Sequence, residues 1–215
     1  MDTGFDIAEI DALRERVKRI LSPFRFEHTL GVERMAARLA DLFCPEKKLL
    51  LQAAALLHDV TKEKSFEEQL EIFKKYSAEP DEEELSVPPT IHALTAALVI
   101  PDEYPLFADK ELIDAVRYHS VGRENMTLSD KIIYLSDYIE DTREFDDCIA
   151  LRREFFYAEP EKMSDKERLA HLNRVIIRSF DLTVEELREK GRPIEKKTLM
   201  ARESLVRELE KFEKN

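Results

Sequence analysis

At 215 residues, 43% hydrophobic and 37% charged, the chain carries enough apolar material to bury a core of its own. Its 4 glycines and 9 prolines are too few for the tight turns of a β-sandwich, a β-barrel or a glycine-rich phosphate loop. The formal net charge of −12 repels phosphate backbones and argues against extended nucleic-acid binding.

The 3.6-residue period runs through nearly every segment and predicts an all-α fold. The first helix carries Ile7, Ile10, Leu13, Val17, Ile20 and Leu21 and is expected to end at Ser22-Pro23, because the residue before proline avoids helical backbone. A second, about 25–43, buries Val32, Met35, Leu39 and Leu42, and its stripe begins at His28. The third, about 46–60, is apolar all round and terminates in His58-Asp59. Ser65-x-x-Glu68 is a capping box opening a short amphipathic helix, and the acidic stretch 79–84 reads as a solvated loop. Helix 90–100 carries His92 near its start and is expected to stop at Pro101; helix 109–119 ends at His119, with Gly122 as a turn or cap. Thr127-x-x-Asp130 caps helix 128–140, which sets Asp137 among Ile132, Ile133, Leu135 and Ile139.

The last third is helical too, with Thr183-x-x-Glu186 read as another capping box and Gly191 and Pro193 as punctuation. Leu199, Leu205, Leu209 and Phe212 form the apolar face of the final helix. No repeat or long linker divides the chain. The expectation is one domain over 1–215, with 1–22 an N-terminal helix and 181–215 a helical tail packed on it. Cys44 and Cys148 lie far apart, no apolar run approaches the roughly 18 residues of a membrane span, and 1–10 lacks the pattern of a signal peptide. A soluble cytoplasmic protein with free thiols is expected.

Four of the 5 histidines (His28, His58, His92 and His119) lie near the ends of apolar helices, together with Asp59 and Asp137. Buried carboxylates are expected to be paired or metal-bound, and imidazole plus carboxylate without thiolate suits Fe, Mn, Co, Ni or Zn. Taken singly, each histidine also fits a hydrogen-bonded core residue, and Asp137 fits an arginine partner. The pair His58-Asp59 favours a shared site, since neighbouring side chains diverge by about 100° on a helix and converge only near its end. His171 falls among Arg168, Asn173 and Arg174 and is assigned to the surface.

The order of His28, His58-Asp59, a later histidine and a terminal aspartate resembles the HD-domain phosphohydrolases. The segments Arg25-Phe26-Glu27-His28-Thr29-Leu30-Gly31-Val32, Leu56-Leu57-His58-Asp59-Val60-Thr61-Lys62, Ile91-His92-Ala93, Tyr118-His119-Ser120-Val121-Gly122-Arg123 and Lys131-Ile132-Ile133-Tyr134-Leu135-Ser136-Asp137-Tyr138-Ile139-Glu140 are similar to the YqeK family, as is the tail from Gly191 to Arg202. The likeness spans nearly the whole chain, with departures at Ala96, Ser136 and Asp141.

The resemblance implies an HD-domain helical bundle and a symmetrical bis(5′-nucleosyl)-tetraphosphatase, which cuts diadenosine tetraphosphate into two ADP molecules with two divalent transition-metal ions, commonly iron. The implied ligands are His28, His58, Asp59, His92, His119 and Asp137, with Asp59 bridging. Two ions about 4 Å apart can lower the pKa of a water toward roughly 7 and clamp the attacked phosphate. The polyphosphate needs local cations, and Lys62, Arg123 and Arg143 are the candidates nearest the implied ligands. Asp59, Lys62 and Arg123 are the expected catalytic residues. Beyond the dinucleoside polyphosphate, no nucleic acid or membrane partner is expected, and a homodimer stays open. So do another HD-domain nucleotide phosphohydrolase (a phosphomonoesterase or an alarmone hydrolase) and a helical interaction protein with a vestigial metal site.

Overall fold

The computed structural model describes residues 5–214 and, among them, only helices and connecting turns. Helix α1 (Ile7–Lys18) is opened by a capping box of Asp6 and Glu9 and buries Ile10, Leu13 and Val17. It ends one turn earlier than the apolar pattern suggests, and Pro23 begins the next helix instead of merely stopping the first. In α2 (Pro23–Phe43) Pro23 occupies the first turn, where its missing N–H costs nothing, and the Ser22 hydroxyl accepts from the Arg25 amide. Helix α3 (Lys48–Leu57) has Leu51 and Ala53 to Leu57 fully buried. It is enclosed as its all-round apolar pattern requires, by α1, α2, α7 (Lys110–Tyr118) and α8 (Leu128–Ile139).

The capping boxes at Ser65 and Thr127 open α4 (Phe66–Lys75) and α8. The acidic stretch is not simply a loop. It contains α5 (Glu82–Leu85), whose Glu84 is buried and pairs with Lys197 Nζ at 2.5 Å. Helix α6 (Ile91–Glu103) passes through Pro101. Proline removes one amide from the ladder two residues before the helix ends, and the Tyr104 amide still reaches the Ile100 carbonyl at 2.8 Å.

After α9 (Asp146–Tyr157) the chain enters α10 (Asp165–Glu189), which runs unbroken through 181 and 183. Thr183-x-x-Glu186 is therefore no helix start, and the tail expected from 181 divides inside a helix. The true start is the capping box of Ser164 and Glu167. His171 is not a surface residue: it is 8% exposed, stacks on Phe155 and lies 3.0 Å from the Phe155 carbonyl through Nε2. Helix α11 (Lys196–Lys214) packs on α10. It fixes the turn at Gly122, whose φ of +70° favours glycine and where a Cβ would stand 2.9 Å from Ala201. Cys44 and Cys148 are buried free thiols, and no described helix is long and apolar enough to cross a membrane.

Candidate metal centre

Five elements meet around the Asp59 carboxylate. His28 comes from the second turn of α2, His58 caps the C-terminus of α3 with Asp59 just beyond it, His92 stands at the start of α6, His119 caps α7, and Asp137 lies in the last turn of α8. Asp59 Oδ1 lies 3.1 Å from His92 Nε2 and 3.8 Å from His119 Nε2. The other oxygen, Oδ2, lies 3.4 Å from His58 Nε2 and 3.8 Å from His28 Nε2. Asp137 Oδ1 completes the Oδ2 side, 3.0 Å from His28 Nε2 and 3.9 Å from His58 Nε2. All six residues named from the sequence are brought together.

The four imidazoles point Nε2 inward for an identifiable reason. His58 Nδ1 is 2.6 Å from the Ala55 carbonyl, His92 Nδ1 2.9 Å from that of Pro89, and His119 Nδ1 2.7 Å from that of Val116. A carbonyl can only accept, so Nδ1 carries the proton and donates, which leaves the Nε2 lone pair facing the cluster. Ala55 and Val116 lie in the last turns of α3 and α7, where carbonyls lack the full set of intrahelical partners. For His28 the Nδ1 partner is a side chain, the Glu140 carboxylate at 3.2 Å. Glu140 is fully buried and also accepts from the Thr142 amide and hydroxyl, both at 2.7 Å. Gly31 makes room for it, because a Cβ there would stand 2.0 Å from Glu140 Oε2.

The protonation preferences divide the histidines. Burial lowers the His28 pKa, but the adjoining Asp137 and Glu140 carboxylates outweigh it and hold the ring at about 9. Burial, reinforced by the neighbouring rings of His58 and His92, presses His119 down to about 3, and burial also lowers His92. Burial alone would raise both carboxyls. The adjoining His58 and His92 rings hold Asp59 well below the usual range, and Arg143 with His28 does the same for Asp137.

Cations border the cluster. Arg143 donates to Asp137 Oδ1 at 2.6 Å, and Lys62 Nζ lies 3.2 Å from His92 Nδ1 and 3.1 Å from the Pro89 carbonyl. Arg123 is not brought in. Its guanidinium donates to Asp130 at 2.8 Å and Asp114 at 3.3 Å and lies over the Tyr118 ring. Arg25 takes that place, donating to Asp59 Oδ2 at 2.8 Å. Arg25 and Glu140 received no role from the sequence, although each sits three residues from a ligand on the same helical face, before His28 and after Asp137. Ser120 Oγ, 3.1 Å from His119 Nε2 and 3.2 Å from His92 Nε2, also joins the cluster without a signal in the sequence.

The residues fit a divalent metal centre. The Nε2 atoms of His28 and His58 are buried and face the Asp137 and Asp59 oxygens at 3.0 and 3.4 Å without the alignment of a hydrogen bond, which is costly for a core but expected of ligands. Two groups bring donor atoms within 4.8 Å of one another: His28, His58 and Asp137, and His58, Asp59 and His119.

The HD-domain family model matches residues 25–142, the span that carries all six. A symmetrical bis(5′-nucleosyl)-tetraphosphatase from Bacillus subtilis (strain 168) is 32% identical over 190 residues, which is 88% of this chain and 94% of the relative. The chain belongs to the YqeK family of HD-domain hydrolases. A second family member of the same name, from Halalkalibacterium halodurans, is 31% identical over 89% of this chain and 94% of its own. The crystal structure of a predicted HD superfamily hydrolase involved in NAD metabolism, from Clostridium acetobutylicum, superposes with a TM-score of 0.78 at 29% identity, covering 92% of this chain and 97% of that one.

Proposed function

We propose that the protein is a symmetrical bis(5′-nucleosyl)-tetraphosphatase that hydrolyses diadenosine tetraphosphate to two ADP molecules with two divalent transition-metal ions, iron foremost. The observation that carries this reading is Asp59, one carboxylate whose two oxygens face two different histidine pairs. That is the placement a bridging ligand needs. His28, His58 and Asp137 would hold one ion with Asp59, and His92 and His119 the other. The names of the Bacillus and Halalkalibacterium relatives support the substrate.

Bound there, such a metal pair supplies an acidified water and neutralises phosphate oxygens. The chain's own residues position the substrate. Arg25 and Arg143 lie against the two ligand carboxylates with side chains 22% and 29% exposed, and the guanidinium N–H groups not turned to Asp59 and Asp137 can donate to phosphate. Lys62 adds a compact charge on the His92 side. Water adds to an inner phosphorus, the bond to the central bridging oxygen breaks, and the other half leaves as ADP. Arg123 is not assigned to phosphate here, because two carboxylates already hold it. The buried free thiols fit the reducing cytoplasm, where we place the reaction. All six ligands come from one chain, so the proposal needs no second copy.

The test is chromatography of an early time point of diadenosine tetraphosphate hydrolysis by the metal-loaded protein. ADP alone is expected. Equal amounts of ATP and AMP, or no cleavage, would overturn the reading.

A further inference from the structure

A cavity of about 530 Å³ opens directly beside His28, lined among others by Phe24, Arg25, Glu140, Arg143 and Phe145. Its wall changes character with depth. Inside lie Arg25 and Arg143, salt-bridged to Asp59 and Asp137, and outside lie two phenylalanines that are 81% and 67% exposed. Among the described residues neither ring meets another aromatic ring or a cation. Exposed large apolar side chains scattered over a surface need no explanation, but two on the rim of one cavity that leads to a metal centre do.

We infer that this cavity is a nucleobase subsite, with Phe24 and Phe145 as its stacking surfaces and Arg25 and Arg143 as the seat of the phosphates attached to that base. The inference rests on the function proposed above and names where half of the substrate lies. A nucleotide carries its charge at one end and a flat π-face at the other, and the cavity presents cations inward and aromatic faces outward in that same order. The volume exceeds that of a purine with its ribose, so the base has room to lie against a ring. Phe145 also borders a neighbouring cavity whose wall includes Glu185, Glu186 and Glu189. The subsite's own wall also carries Glu27, Glu140 and Glu144, but of the two cavities it alone brings two arginines together, and they seat the phosphates.

The test is calorimetric binding of ADP and of inorganic pyrophosphate to the metal-loaded protein and to Phe24→Ala and Phe145→Ala, with light scattering on each. Pyrophosphate has the charge without the base. ADP affinity should fall about tenfold in each alanine variant, within the range of one base–aromatic stack, while pyrophosphate affinity changes less than twofold. Phe145→Tyr, which keeps the π-face, should restore ADP binding. ADP affinity unchanged in both alanine variants would overturn the subsite. So would equal losses for ADP and pyrophosphate, or a dimer that the alanine variants convert to monomers with ADP affinity intact, since the rings would then cover a second copy of the chain. Binding of ADP is read independently of hydrolysis, so failure of the subsite is distinguishable from failure of the proposed reaction.

Discussion

On the Oδ1 side of Asp59, His92 and His119 are each 2% exposed and held by main-chain carbonyls. On the Oδ2 side, the Asp137 side chain is 20% exposed, His28 is held by the Glu140 side chain, and two arginines lie on the carboxylates. His58, between the two, is held by main chain. The enclosed half is thus a product of helix ends, which the fold itself fixes. The open half depends on a shell of individual side chains, each replaceable, and it is the half that adjoins the cavity. One side of the cluster is closed by main chain and the other opens to a cavity.

The largest expected effect removes the distinction altogether. Asp59→Asn should lower turnover by about 10³-fold or more and empty both halves of metal, because the one carboxylate serves both. Circular dichroism should still report a helical protein, since the core does not depend on Asp59. Near-normal turnover with normal metal content would sink the bridging assignment.

The next effect separates the halves. Glu140→Gln should weaken one of two metal-binding steps by about 10–100-fold and leave the other unchanged. Gly31→Ala should behave alike, since its Cβ would stand 2.0 Å from Glu140 Oε2. A two-step metal titration that shows equal weakening of both steps would erase the contrast between a backbone-built and a side-chain-built half.

A smaller effect distinguishes arginines that share a neighbourhood in sequence but not in space. Arg143→Ala should lower kcat/KM by about tenfold or somewhat more, as expected for losing a charge-assisted bond. Arg123→Ala should change kcat/KM less than twofold yet destabilise the protein by about 2 kcal/mol, because it strands the fully buried Asp130. Kinetics and urea unfolding on the two variants decide it, and a large kinetic loss in Arg123→Ala would return that residue to the phosphate site.

The cluster of six was legible because imidazoles and carboxylates are costly on apolar faces, and their positions at helix ends let neighbours converge. Arg25 and Glu140 were legible in principle through their three-residue spacing from His28 and Asp137, a signal the search for ligands alone overlooks. Arg123 was misplaced because chain proximity to His119 says nothing of Asp130, which captures it from across a turn. The same blindness to distant partners made the acidic stretch a loop, since Lys197 lies 113 residues from Glu84. It also put His171 on the surface, when its partner is the Phe155 carbonyl. Local motifs erred where continuity overrode them: Thr183 has the spacing of a cap, but α10 was already nucleated at Ser164.

The smallest effect tests the contrast without metal. In the metal-free protein His28 has its pKa raised to about 9, from an unfolded value near 6.5. Between those values the native state binds more protons than the unfolded chain, so this stabilisation is complete below pH 6.5 and is lost as the pH rises through 9. His119, lowered to about 3, and His92, also lowered, have the opposite sign: they withdraw stability as the pH falls below 6.5. The open half therefore sets the alkaline flank of the stability profile and the enclosed half contributes to the acid flank. Glu140→Gln removes one of the two carboxylates that raise His28 and leaves His92 and His119 untouched. Urea unfolding from pH 5 to 10, each protein referred to its own stability at pH 10, should show this variant lower by about 1 kcal/mol near pH 8 and by at least as much at every lower pH, with the slope of the acid flank unchanged. A changed slope on the acid flank, or an alkaline flank that stays in place, would mean that the two halves do not titrate separately and that Glu140 does not set the charge of His28.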